Sequence, residues 1–258
     1  MKRWVVFKAV FFRTIVEMRR YAFNTVAGLV TMYLIFLLLF LGAKFVGGPT
    51  FATGGSLEGL VVGYLVWLLA LIAYQDLAWQ IASEAEIGTL EQLYLSPAGV
   101  AWVNGCYLLA RFLVTLLTGG LILVLMMLTT GRLLHLDLVS LIPLTALTVA
   151  SAYGFGFVMG GLALVFKRIQ QTFQILQFVF VAFLIAPVGR YAWLKYMPLA
   201  LGNELIRRVM VDGVRLWRLP PGDLGLATLV GLGYFLAGLG AFGWCLRVAR
   251  DRGMLGQY

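Results

Sequence analysis

The stretch Ser83-Glu84-Ala85-Glu86-Ile87-Gly88-Thr89-Leu90-Glu91-Gln92-Leu93-Tyr94-Leu95-Ser96-Pro97 is the most polar segment between two long apolar runs. It carries Glu84, Glu86 and Glu91, three of the chain's eleven acidic residues, and no Lys or Arg. Ser83 followed by Glu86 has the form of a capping box, and Thr89 with Gln92 repeats it after Gly88. Gly88 can take the left-handed turn that ends one helix so that another begins. Ser96-Pro97 reads as an N-cap serine followed by a first-turn proline, which starts the next long helix. Residues 83–97 are therefore expected to form a short helix between two breaks, lying across the end of a helical hairpin.

The composition places that hairpin in a membrane. Of 258 residues 62% are hydrophobic and only 12% charged, with a mean hydropathy of +0.94. A soluble domain of this length cannot bury so much apolar surface, and several uncharged runs reach the ~18–20 residues that cross a bilayer. The net charge of +9 suits a membrane surface better than nucleic acid, because the basic residues sit at the ends of apolar runs and form no single patch. Cys106 and Cys245 fall inside expected spans and read as reduced packing residues, since neither their number nor their spacing makes a disulfide framework or a zinc site.

Along the chain the reading is all-α and polytopic, with six spans in one permease domain covering 1–258. Residues 1–21 form an amphipathic helix, with Trp4, Phe7, Phe11, Ile15 and Met18 on one face and Lys2, Arg3, Arg13, Glu17 and Arg20 on the other. Six basic residues before position 21 argue for a helix lying in the cytoplasmic interface, not a cleaved signal peptide. Spans are expected at 24–45, 59–81, 100–130, 138–166, 172–188 and 224–246. Breaker residues make 47–56 an outer loop, 131–137 an outer turn and 167–171 a basic inner turn. Gly154, Gly156, Gly160 and Gly161 read as close-approach packing positions. Residues 190–223 are amphipathic and proline-broken: Met197-Pro198 opens a helical run with Glu204 and Arg208 at i,i+4, and Asp212-Gly213 closes it.

Apart from Lys44 at the end of the first, two charged residues lie within the expected spans. The third apolar run exceeds the ~30 Å hydrocarbon core by about ten residues, so its first turns project toward the cytoplasm. Arg111 then sits near the cytoplasmic edge, where a long side chain can snorkel, and Asp76 lies at a similar depth. The two either pair across the hairpin or are hydrated separately. A proton relay would want a chain of ionisable groups at mid-membrane, and none is present.

The pattern Glu84-x-Glu86-x-Gly88-Thr89-Leu90-Glu91-Gln92-Leu93, closed by Ser96-Pro97, resembles the cytoplasmic signature of type-2 ABC exporter permeases. These are membrane subunits driven by an ATP-hydrolysing partner. The resemblance covers essentially the whole chain. It implies that the short helix within 83–97 is a coupling helix whose Glu84, Glu86, Gly88, Thr89, Leu90, Glu91 and Gln92 meet the ATPase subunit. Ala85 stands where the family commonly has an arginine. In 190–223, Pro198 and Arg207 match the family's proline and arginine that mark short re-entrant helices in the outer leaflet, with Glu204 between them; Ala200 replaces the usual threonine. The resemblance further implies a dimer of permease chains, homomeric or heteromeric, above two ATPase subunits in the cell (inner) membrane.

The chemistry that the chain lacks points the same way. There is no G-x-x-x-x-G-K-[ST] phosphate loop, so ATP and magnesium are expected in the partner subunit and no cofactor in this one. His135 is the only histidine, which leaves no conventional His-dependent triad, no catalytic residue to name and no expected metal site. The expectation is a transport subunit, not an enzyme, that moves an amphiphilic drug, lipid or lipid-linked glycan outward. Its partners are the ATPase, a second permease chain and membrane lipids, with no nucleic acid. The alternatives are an integral membrane transferase and an ion-coupled secondary transporter; the latter would want paired broken helices at the midplane. The basic N-terminal cluster sets both termini in the cytoplasm.

Overall fold

The computed structural model describes residues 2–53, 56–87, 100–166, 170–185 and 191–251. Among them are eight α-helices, two 3₁₀ turns and no strand. The helices are α1 (Lys2–Arg20), α2 (Ala22–Thr53), α3 (Ser56–Ile87), α4 (Val100–Thr130), α5 (Leu138–Phe166), α6 (Gln170–Ile185), α7 (Ala200–Met210) and α8 (Pro221–Asp251). Five of them, α2, α3, α4, α5 and α8, are long and apolar enough to cross a membrane, as the hydropathy of the chain requires. The protein is an all-helical, multi-pass membrane protein. In hydrocarbon every backbone polar group needs an internal partner, and the helix supplies it within one segment.

α3 and α5 form the centre: 67% of the apolar window of each is buried, against 6% for α2. α5 packs along α8 on one side and α3 on the other, and its glycines make both approaches. Gly154 and Gly161 are seven residues apart, close to two full turns, and face α8; Gly156 and Gly160 lie about 200° and 240° round the helix from Gly154 and face α3. A Cβ on Gly156 would lie 3.0 Å from the Tyr74 carbonyl oxygen, and one on Gly161 3.0 Å from Cβ of Cys245. Tyrosines tie α3 to its other neighbours: Tyr64 OH donates to the Met32 carbonyl at 2.5 Å and Tyr74 OH to the Phe173 carbonyl at 2.6 Å. Each buried hydroxyl thus meets a main-chain oxygen that already serves its own helix. Cys106 and Cys245 are buried and free.

The bundle has two distinct ends. At one, α1 packs against α4, and Ile81, Gly160, Gly161 and Cys245 meet near the last turns of α3, α5 and α8. The described ends of the chain therefore share this α1 end. At the other end α7 lies beside the start of α5: the His135 amide donates to the Met210 carbonyl at 2.8 Å and the Leu216 amide to Ser140 Oγ at 2.9 Å. α6 runs between the two. Its Phe173 stacks on Trp79 toward the α1 end, and its Leu184 carbonyl accepts from Asn203 of α7 at 3.3 Å.

Several expectations are corrected here. Residues 47–53 are not a loop, because α2 carries helical backbone through Gly47, Gly48 and Pro49 to Thr53. The candidate span ends at Val46, so these last turns prolong the helix past its apolar run. Nor does Ser83 cap a helix. α3 passes through it to Ile87, and Ser83 Oγ donates to the Gln80 carbonyl at 3.0 Å. No glycine or proline stands before Ser83 to stop the helix, and its hydroxyl bonds back on the preceding turn. The capping role of Glu86 falls with it. The second span, expected at 59–81, is part of a helix of 32 residues. The spans expected at 100–130 and 138–166 agree with α4 and α5 in their bounds. The fifth is described as α6, whose apolar stretch Thr172–Leu184 is shorter than the other five. The Lys167-Arg168 turn and Pro187 lie outside the described residues.

Candidate functional site

Arg111 gathers the charged side chains at the α1 end. Its Nε donates to Tyr107 OH, one turn earlier on α4, at 2.7 Å, and the guanidinium lies 5.3 Å from the centre of that ring. Nη1 stands 3.7 Å from Asp76 Oδ2 of α3, and Nη2 3.5 Å from Glu17 Oε2 of α1. Glu17 also accepts from Arg13 Nε at 2.8 Å. Two cations and two anions thus close a neutral quartet. Neutrality is what makes ionisable groups tolerable next to hydrocarbon, and the phenol holds the guanidinium in place. Of the two readings of Asp76 and Arg111, the structure brings the pair together and adds a third helix to it.

Glu17 is the member that sequence reasoning missed. Helical periodicity puts it on the polar face of α1 with Arg13 and Arg20, yet it turns toward α4, beside Thr14, which is buried. One signal was present: Glu17 is the only acid among the six bases of α1. The apolar residues Trp4, Val5, Phe12, Ile15 and Val16 are exposed, as suits a helix lying in a membrane interface.

Asp76 is eleven residues before Ile87, and Arg111 eleven after Val100. Both arms of the α3–α4 hairpin therefore extend about 16 Å beyond the quartet at ~1.5 Å per residue. Glu84 lies on this extension of α3 and accepts from Gln80 Nε2 at 3.0 Å. Glu86 is on the last helical turn of α3, its side chain outside the described residues. Gly88, Thr89, Leu90, Glu91, Gln92 and Ser96-Pro97 lie outside them as well.

The second polar cluster is at the α7 end. Pro198 sits between the 3₁₀ turn Ala192–Tyr196 and α7, and Leu199 follows it at φ 66°, with the Ala200 amide donating back to the Pro198 carbonyl at 2.8 Å. That γ-turn is a strained entry for a residue with a Cβ, held by a leucine side chain that is buried. α7 then buries Ala200, Leu201, Leu205, Ile206, Val209 and Met210 and turns its polar face outward. Glu204 accepts from Arg207 Nε and Arg208 Nε, both at 3.1 Å. Arg208 Nη1 lies 3.9 Å from Asp223 at the start of α8, and Lys195 Nζ donates to Asp223 at 2.8 Å. Partial burial alone would push the Glu204 carboxyl up; the hydrogen bonds and charges of Arg207 and Arg208 outweigh it and hold the group below the usual carboxylate range. The Glu204–Arg208 pair was legible as i,i+4, whereas the links to Lys195 and Asp223 come from chain folding.

Comparison of the chain with models of known families finds no match, and no curated protein or solved structure matches it.

Proposed function

We propose that the chain is the membrane-spanning permease subunit of an ABC exporter of the type-2 kind. It has six crossings, counting α6, with both termini in the cytoplasm. The observation that carries the reading is the Glu84-to-Pro97 sequence, which in the chain runs from the last turn of α3 toward the start of α4. Both arms are longer than a bilayer requires: about 48 Å for α3 and 46 Å for α4, against a ~30 Å core. The excess at the α1 end is what a docking loop needs in order to reach a water-soluble ATPase. The quartet around Arg111 links that hairpin to α1, so displacement of the loop by an ATPase is passed to the interfacial helix and the bundle together. At the opposite end, α7 and the turns beside it act as the re-entrant segment within 190–223, closing the outer side of the pathway.

Two such chains form the pathway, with two ATPase subunits beneath, and an amphiphilic drug, lipid or lipid-linked glycan moves outward between them. ATP and magnesium belong to the ATPase. The test is to purify the chain with the ATP-hydrolysing subunit encoded beside it and reconstitute the two in liposomes. Stable co-purification with a rise in ATP hydrolysis over the isolated ATPase is expected. A chain that binds no such subunit, and leaves its hydrolysis unchanged, overturns the proposal.

A further inference from the structure

At the junction of α1 and α2 lies an open cavity of about 640 Å³, which borders the quartet around Arg111. The helices meet at the single turn residue Tyr21, whose amide donates to the Glu17 carbonyl at 2.9 Å, and Arg111 of α4 faces the junction. Arg13, Arg20 and Arg111 line the cavity with Glu17 as its one acid, and with Asp76 paired to Arg111 from behind the group carries a net charge of 3 − 2 = +1. Arg13 and Arg111 are already bound to Glu17. Arg20 has no carboxylate within ion-pairing distance among the described residues and packs beside the Tyr21 ring at 5.9 Å. Asn24 and Thr25 add polar groups, and Phe12, Val16 and Met18 an apolar wall.

This combination selects a ligand with one anionic, hydrogen-bonding head and an apolar body. The volume lies in the range of small-molecule sites, and basic pockets between helices at a membrane surface suit lipid phosphates. The place suits it too. The cavity sits where an interfacial helix turns into a spanning one, which is the depth of the headgroups. α2 leads away from it with Val26, Val30, Leu34 and Leu38 exposed, so acyl chains would lie against apolar side chains. The geometry points to a resident anionic phospholipid, its phosphate held by Arg20 with Asn24, seated at the junction of α1 and α2.

The test uses the full chain in phosphatidylcholine nanodiscs doped with phosphatidylglycerol. Lipid retained through detergent extraction is counted by native mass spectrometry, and the thermal midpoint is followed as phosphatidylglycerol is titrated. Retention of phosphatidylglycerol over phosphatidylcholine and a saturable rise in midpoint are expected. In Arg20→Gln the half-saturating phosphatidylglycerol fraction rises about fivefold, the size of one basic contact at a membrane surface. Arg20→Lys keeps most of the effect, and Arg19→Gln, which removes the same charge outside the cavity, changes nothing. An equal effect of Arg19→Gln and Arg20→Gln would reduce the finding to general surface attraction and overturn the site. Equal retention of the two lipids, or an equal rise in midpoint with inorganic phosphate alone, overturns it as well. None of these outcomes depends on an ATPase partner, so the site stands or falls apart from the transport reading.

Discussion

Gly154 of α5 and Gly238 of α8 meet backbone to backbone: a Cβ on Gly238 would overlap the Gly154 carbonyl, and one on Gly154 the carbonyl of Tyr234. Gly231 repeats the contact seven residues earlier, where a Cβ would lie 2.5 Å from the Leu147 carbonyl oxygen. Without a hydrophobic drive between helices in lipid, such close approach is what gives this pair its packing energy.

Gly238→Ala is therefore expected to destabilise the protein by about 1–3 kcal/mol, the usual cost of overpacking a fitted contact. The obstacle is backbone, which cannot swing aside like a side chain. Gly240, two residues on, has nothing within 4 Å of a built Cβ. Gly240→Ala should leave the thermal midpoint in detergent unchanged or slightly higher. Equal midpoints for the two variants would show that the α5–α8 contact is looser than described.

The spans were legible because hydropathy is a local property: α4 and α5 begin and end where their apolar runs do. The small-residue pattern of α5 was legible too, although its division into two faces requires knowing both partners. Two of the punctuation signals failed, whereas Gly131 and Asp212-Gly213 do follow the ends of their helices. Gly47-Gly48-Pro49 and Ser83-x-x-Glu86 express only a local preference for a helix end, and in this chain the helix continues through both. Glu17 was misread for a different reason. Periodicity assigns it a face but cannot say that α4 brings a cation to that face. Contacts between residues 94 positions apart are not written in any local pattern.

The quartet around Arg111 should behave as a coupled unit. Arg111→Gln leaves Asp76 and Glu17 facing each other across a partly buried site, and it is expected to cost more than Asp76→Asn or Glu17→Gln alone. The double variant Asp76→Asn, Arg111→Gln should recover part of the loss, with a coupling energy of about 0.5–3 kcal/mol in a double-mutant cycle. Thermal midpoints of the four proteins in one detergent measure it. Additive losses would mean that the two residues are separately hydrated.

At the α7 end, Glu204 gives a pH signature. Its folded pKa lies below the ordinary value because Arg207 and Arg208 hold the charged form. Its contribution to stability is thus fully present above the unfolded carboxylate pKa and is lost as pH falls through the folded one. Each exposed pair is worth about 0.2–1 kcal/mol. The difference in midpoint between the native chain and Glu204→Gln should be constant above about pH 5 and close as the pH is lowered further. A gap that widens on acidification would show that the carboxyl is protonated in the folded protein.

The acidic stretch from Glu84 to Glu91 offers a way to tell a docking surface from a merely structural segment. Glu84 accepts a hydrogen bond from Gln80 within its own helix, and a glutamine there can accept the same bond. If that is its whole role, Glu84→Gln is silent and Glu84→Lys costs only a few tenths of a kcal/mol, as for an exposed helix pair. If Glu84, Glu86 and Glu91 instead face a basic groove on an ATPase, glutamine does not rescue and lysine is worse, because like charges then meet. With Ser83 inside α3, Glu86 has no capping role to protect it, and Glu86→Gln should weaken binding alongside the others. The expectation is that Glu84→Lys with Glu91→Lys leaves the permease folded in detergent but weakens assembly with the ATPase at least tenfold, about 1.4 kcal/mol. The remaining affinity should depend less steeply on salt than that of the native pair, since fewer opposite charges are left to screen. Assembly, substrate-stimulated ATP hydrolysis and thermal midpoint measured on the same preparations decide the matter. A double variant that assembles and hydrolyses normally rules out this stretch as the docking site, and one that loses its thermal midpoint along with assembly returns the glutamates to a structural role.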